Sequence, residues 1–277
     1  MHPVITRSLP VILALAAGFI SARGADQEKA PDAACAQGAC AWKALKGVVH
    51  LSDNDIRFAR KGGGLVLVDP LAGPADAAAV RTGLVKPDLI LITHPHGDHF
   101  QPAVLQAYRQ ANPQVVIAGP AEVVKLAQEQ GIAGVQTVVP NQSYTLAGFE
   151  FSTVPAYFDD PKWNHPQAGG WVGYVIPLNG VRYYVTGDTQ PLPEMAAVKA
   201  DVILPLLSGC GGNLPQALKM AALSGARVVV PVHHGGRTET IRKFAAQLPP
   251  DVQSFCFLDG KLVPAAKAGV TEEKPAM

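Results

Sequence analysis

The sequence predicts a layered α/β fold in which sheets are covered by helices, and three observations carry that prediction. Short β-prone apolar runs alternate along the chain with amphipathic segments of helical period. Several of those runs, LVLV, LILI and VVV among them, are continuous rather than alternating, as strands buried on both faces require. The chain is also long and apolar enough for a sizeable core, with 277 residues of which 48% are hydrophobic. It contains no repeat at a solenoid period and no low-complexity tract.

The first segment stands apart from that pattern. MHPVITR, then LPVILALAAGFI, then SARGA is a short basic region, an apolar stretch and a small-residue stretch, the order of a secretory signal peptide cleaved between Ala22 and Ala25. The apolar run from Leu9 to Ile20 falls short of the roughly 20 residues that cross a bilayer. The expectation is a signal peptide over 1–25 and an exported chain, periplasmic or secreted, without stable membrane insertion. Its removal takes away Arg7 and Arg23 and no acid, so a formal charge of +1 becomes −1. A near-neutral chain without a basic run offers nucleic acid or anionic lipid little attraction, which leaves small molecules as the expected partners. Of the four cysteines, Cys35, Cys40, Cys210 and Cys256, the pair in CAQGAC is close enough in sequence to bridge, with Gly38 easing the ring. Four cysteines allow three pairings, and the sequence does not choose among them.

Residues 26–45 lack a period and read as a leader. GVVHLS, DIRFAR and GLVLVDP then form a meander entering a sheet, followed by strands at DLILIT, QVVIAG, VQTVVP, FEFSTV, WVGYVI, VRYYVT, DVILPL, RVVVPV and SFCFLD. Helices are expected over 75–82, 101–111, 121–130, 194–199, 214–223 and 238–248; in the second, Phe100, Val104, Leu105 and Tyr108 make one apolar face. The domain is expected over 46–265, with a tail over 266–277.

Four polar clusters each follow a strand directly. DLILIT leads into HPHGDH, FEFSTV into PAYFDDPKWNHP, VRYYVT into GDT, and RVVVPV into HHGG. In layered α/β folds, loops at strand ends converge on one rim, where ligands bind. A turn eased by Gly97 can present His94 and His96 to one ion while Asp98 and His99 turn toward a second beside it. Imidazole and carboxylate suit zinc, manganese or iron. Two such ions clamp an activated hydroxide between them. Asp188 is the candidate to touch both, and His233, first after its strand, the candidate end ligand. His234 is left open between substrate and core.

HPHGDH, GDT and PVHHGG resemble the metal-binding motifs of the metallo-β-lactamase superfamily over roughly residues 46–265, most specifically in the HxHxDH pattern. That resemblance implies a four-layer αβ/βα sandwich of two mixed β-sheets flanked by helices, with a dinuclear site at one edge. It implies two divalent metal ions, zinc with manganese or iron as alternatives. His94, His96 and a third histidine would hold the first ion; Asp98, His99 and His233 the second; Asp188 would bridge. VDPLAGP, VPAY, GGWVGYVI, GVRYYVTGDT and PVHHG are similar to the branch containing ascorbate-6-phosphate lactonase and N-acylphosphatidylethanolamine phospholipase D, many of whose members are described only as metal-dependent hydrolases. One departure is the stretch PAYFDD, where that branch carries a histidine. His165 is therefore taken as the third ligand, with Asp159 or Asp160 as substitutes.

The implied activity is hydrolysis of a small-molecule ester, lactone or phosphodiester-type bond, with Asp98 orienting or deprotonating the attacking water as well as binding metal. A metal-binding protein without turnover, or a β-lactam hydrolase, stands as the alternative. Trp163, Trp171 and Tyr157 are candidate pocket walls and His50 is structural. Arg237 is read as a solvated helix-start residue, with recognition of an anionic substrate group as the alternative. Cys210 is read as an inert thiol or half of a disulfide, with a place in the lining of the site as the alternative.

Overall fold

The computed structural model describes residues 43–52, 54–258 and 260–269. The expected signal peptide, the leader up to residue 42 and the CAQGAC cysteines lie outside them.

The continuous apolar runs build two sheets. The first has six strands in sequence order, β1 (Val48–His50), β2 (Ile56–Ala59), β3 (Leu65–Val68), β4 (Leu89–Leu91), β5 (Val116–Gly119) and β6 (Gln136–Thr137). β1 to β3 pair antiparallel, and β3 to β6 pair parallel. The second has eight strands, again in sequence order: β7 (Ser143–Leu146), β8 (Phe149–Pro155), β9 (Val172–Leu178), β10 (Val181–Val185), β11 (Val202–Leu204), β12 (Val228–Val229), β13 (Gln253–Leu258) and β14 (Lys261–Pro264). Strands β10 to β13 pair parallel and the pairs on either side of them are antiparallel. Both sheets are mixed.

Side-chain period explains why the central strands are apolar throughout. In β3, Val66 and Val68 join the core between the sheets, while Leu65 and Leu67 face an outer core. β4 repeats this with Leu89 and Leu91 inward and Ile90, with Ile92 just beyond, outward. The outer face of the first sheet is covered by α2 (Pro102–Ala111) and α3 (Ala121–Glu129), through Leu105, Tyr108, Val123 and Ala127. The short α1 (Ala77–Thr82), capped by Asp76 and ended by Gly83, buries Ala79. The outer face of the second sheet is covered by α4 (Leu214–Ser224) and α5 (Thr238–Ala245), through Ala217, Met220, Ile241 and Phe244. The result is the four-layer αβ/βα sandwich. No helix among the described residues is long and apolar enough to cross a membrane.

Three local expectations differ. The helix expected over 194–199 is a 3₁₀ turn, Pro193–Ala197, because Pro193 opens a segment with room for little more than one turn before Lys199 takes a positive φ. The helix expected to run to 248 ends at Ala245. β7 and β14 are edge strands, SYTL and KLVP, whose half-exposed residues carry no apolar run to announce them.

Candidate metal centre

Parallel strands deliver the clusters to one rim. β4 carries HPHGDH at its C-terminal end, β10 carries GDT, and the chain beyond β12, bridged to Leu206 at Val232, carries His233. Two bonds between the sheets hold that rim together: Tyr174 on β9 donates its hydroxyl to Ile92 O at 2.7 Å, and Val172 N bonds Thr93 O at 3.2 Å. Gly187, at φ 62, lies so close to Thr93 that a Cβ there would come within 3.1 Å of the threonine Cβ. Only glycine lets GDT reach this position.

Four sets of ligand atoms lie within 4.8 Å of one another: His94, His96 and His165; His94, His99 and Asp188; Asp98, Cys210 and His233; and His165, Asp188 and Cys210. All seven residues expected from the sequence are therefore gathered here, and Cys210 with them. The rings of His94, His96 and His165 have centroids 4.5–4.9 Å apart, and Trp171 packs on all three at 4.9–5.3 Å. Trp171 is itself fixed by its indole bond to Glu122 of α3. Among the described residues, then, Trp171 forms a wall, whereas Trp163 is exposed and Tyr157 leans on the second outer core.

His165 is buried despite its place in a polar loop, since Phe158 N bonds the His165 carbonyl at 2.9 Å and draws the loop inward. Asp159 and Asp160 point outward instead, to Gln190 and Lys162.

The supporting bonds set which nitrogen faces the centre. Thr93 Oγ1 donates to Asp69 at 2.6 Å and so accepts from His94 Nδ1 at 3.0 Å, leaving His94 Nε2 with its lone pair inward. Asp69 lies 2.7 Å from His99 Nδ1, and this turns Nε2 of His99 toward Asp188 at 3.3 Å. Asn54 reaches the same Nε2 at 2.8 Å and the Asp98 carbonyl at 3.1 Å. Such outer contacts orient metal-ligating histidines and raise their basicity. Asp69, Asn54 and Thr93 are the residues sequence reasoning missed, whereas Trp171 is one of the expected walls; Asp69 carries a usable signal, being the first polar residue after the apolar run LVLV.

Electrostatics separate the histidines. Burial and the neighbouring imidazoles hold His94 well below its ordinary value, and burial brings His165 down to about 4. Both are neutral donors. For His99, burial opposes charge, but Asp188 and Asp69 outweigh it and push the imidazole up to about 10. His233 Nε2, 2.9 Å from Asp98 Oδ2, holds the Asp98 carboxyl well below its usual range. Burial, with Asp188 alongside, pushes the Cys210 thiol up to about 12.

The donor set fits divalent cations. Nε2 of His94, both ring nitrogens of His165 and both oxygens of Asp188 are buried without a hydrogen-bond partner, a costly state that a bound cation relieves. Asp188 meets His99 at 3.3 Å and His233 at 3.8 Å, with the Cys210 thiol also beside it.

A sandwich of mixed sheets with unpartnered imidazoles and one unpartnered buried carboxylate at its rim is the arrangement of a metallohydrolase-type protein. A family described as "Beta-lactamase superfamily domain" matches residues 65–234. A UPF0173 metal-dependent hydrolase of Thermococcus kodakarensis is 32% identical over 184 residues, 64% of this chain and 80% of that protein. Another, from Archaeoglobus fulgidus, is 30% identical over 64% of this chain and 79% of its own length. The solved structure of a metallo hydrolase from Ignicoccus hospitalis shares the fold at a TM-score of 0.60 and 22% identity, over 78% of this chain and 96% of its own. The chain belongs to the metallo-β-lactamase superfamily, among the UPF0173 metal-dependent hydrolases, and is an enzyme of that class.

Proposed function

We propose that this metal-dependent hydrolase is exported, works with two divalent cations, and cleaves an ester, lactone or phosphodiester-type bond of a small molecule. Zinc is the proposed cation, with manganese or iron as alternatives. The observation that carries the reading is the adjacency of two ligand sets, one of three histidines and one containing Asp98 and His233, with the unpartnered Asp188 carboxylate in sets that adjoin both.

His94, His96 and His165 would hold the first cation and Asp98, His99 and His233 the second, with Asp188 touching both. When bound, the cations supply Lewis acidity and bring the ionisation of water toward neutral pH. The remaining chemistry falls to the chain. Asp98, its side chain 41% exposed, is the carboxylate that solvent and substrate can reach. It would accept the proton of the attacking water or orient that water; in the cation-free chain His233 Nε2 holds this carboxylate in place at 2.9 Å. Asp69 and Thr93 hold the two imidazoles behind it in their lone-pair-inward tautomers. Trp171 closes the first set from solvent on one side, so that His96, Asp98 and His233, all half-buried, form the open side where substrate arrives. The likeness of VPAY, GGWVGYVI and PVHHG to the lactonase and phospholipase D branch supports lactones and phosphodiesters as first substrates.

A hydrolysis screen of lactones, phosphodiesters and β-lactams, run beside metal analysis, tests this reading. Turnover of a lactone or phosphodiester with two cations per chain is expected, with Asp98→Ala cutting turnover at least 100-fold. Uptake of only trace transition metal, or full turnover in Asp98→Ala and Asp188→Ala, overturns it. Mass measurement of the exported protein tests the leader: cleavage between Ala22 and Ala25 is expected, and an intact Met1 overturns export with cleavage.

A further inference from the structure

We propose that Cys210 is a thiolate ligand of the second cation position, beside Asp98 and His233, and that it makes this position select thiophilic cations such as zinc over manganese or magnesium. The proposal rests on the two-cation reading above and goes beyond it, since neither the motifs nor the family likeness assigns this cysteine a role.

The placement of the sulfur carries the inference. Cys210 Sγ lies within 4.8 Å of the ligand atoms of Asp98 and His233, and equally of those of His165 and Asp188. Donors on one zinc ion, at 2.0–2.3 Å from it, lie at most about 4.6 Å apart, so the thiol stands close to ligand distance beside Asp98 and His233. Two polar groups of these sets point to a cation independently of the sulfur. Both Asp188 oxygens and both His165 ring nitrogens are buried and unpartnered, in residues 1–2% exposed. Among the described residues Cys210 forms no disulfide.

The local chain is shaped to deliver the thiol. Gly209, Cys210 and Gly211 take φ values of 84°, 37° and 85°, a sharp turn between β11 and α4. At Gly209 a Cβ would stand 2.4 Å from the His233 ring, so the turn presses on that histidine and leaves Cys210 as the side chain facing the centre. The charges also suit the site: one thiolate, Asp98 and Asp188 bring three negative charges to two dications, leaving one positive charge for an anionic substrate group or hydroxide. The step is cation uptake with loss of the S–H proton to solvent, and no redox change. Sulfur favours zinc, cobalt(II), cadmium and iron(II), whereas manganese and magnesium prefer oxygen.

Cobalt(II) loading of the full chain tests this. The second equivalent is expected to bring intense near-ultraviolet thiolate-to-cobalt absorption, absent in Cys210→Ser, together with a loss of zinc affinity of about 10-fold or more for the second equivalent alone. Should the variant not fold, alkylation of the native chain gives a second readout. Zinc should protect Cys210 from iodoacetamide by at least 10-fold, scored on its peptide by mass. Two bound cobalt ions without the absorption, or equal labelling with and without zinc, overturns the thiolate ligand and leaves the hydrolase reading standing. Failure to bind a second cation overturns both.

Discussion

His99 sits between Asp69 and Asp188, and the fate of its proton governs how the centre responds to pH. Its folded value is raised from 6.5 to about 10, so its contribution to the metal-free chain is fully present below pH 6.5 and lost as pH rises through 10. His165 and His234 behave in the opposite sense. Burial lowers each to about 4, so their contribution is present above 6.5 and lost as pH falls through 4. Stability of the metal-free chain should therefore peak near pH 6.5. Urea unfolding across pH 4–9 checks this, and His234→Asn should flatten the acid limb by roughly 3 kcal/mol. A monotonic pH dependence, or an unchanged acid limb in the variant, would contradict these assignments. Because His99 must also surrender its proton to a cation, uptake should tighten with pH and release protons, measured by calorimetry in buffers of differing ionisation enthalpy. Asp69→Asn should weaken cation affinity by about 10- to 100-fold while the fold survives, since it removes the carboxylate that aims His99. Metal titration followed by circular dichroism separates those two effects.

Among the elements, β2 and the loop after β3 are stapled by an ion pair with no solvent access. Arg57 reaches both oxygens of Asp55 at 2.9 and 3.0 Å and donates to the Leu84 and Ala72 carbonyls, while Asp55 also accepts from Leu71 N and Ala72 N. This loop begins immediately after Asp69, so the staple braces the support of His99. Arg57→Met leaves the Asp55 charge buried with too few donors and should cost about 3–5 kcal/mol, read from denaturant midpoints at constant slope. A cost under about 1 kcal/mol would mean that the pair is replaceable. At this same scale the sequence was legible where elements are apolar on both faces or strongly periodic, as in LVLV, LILI and the α2 face. It was illegible at SYTL and KLVP, because an edge strand packs on one side and needs no run of apolar residues. The staple was equally hidden. Nothing in DIRFAR distinguishes a buried Arg57 from a solvated one until the Ala72 loop closes over it.

For the whole molecule, cation binding and folding should be linked. Ligand atoms come from the first sheet, the second sheet and the loops between, so cations that bind only the folded chain stabilise both halves of the sandwich together. At 100 times the dissociation constant the gain is about 2.7 kcal/mol per site, or roughly 5–10 °C in Tm for a chain of this size. Calorimetry with and without chelator measures it; an unchanged Tm would show that no cation is linked to folding. The sandwich also explains why His94 and His165 resist protonation. The rim lies over the core shared by both sheets, and Tyr174 and Val172 seal one sheet to the other just beneath His94.

The amino-acid sequence alone determined the alternation of the core strands and the main helices, the layered class and the HPHGDH cluster, because side-chain period and short motifs are local properties that need no partner to be read. Only the tertiary structure decided that His165 turns inward, that Asp69 and Asn54 stand behind His99, and that Cys210 joins Asp98 and His233. These residues are brought together by parallel pairing of β10, β11 and β12 and by the closure of one sheet on the other. Such contacts join segments far apart in the chain, from the 30 and 45 residues that separate Asp69 and Asn54 from His99 to the 135 that separate Asp98 from His233, and no local pattern records which distant strand end will face which.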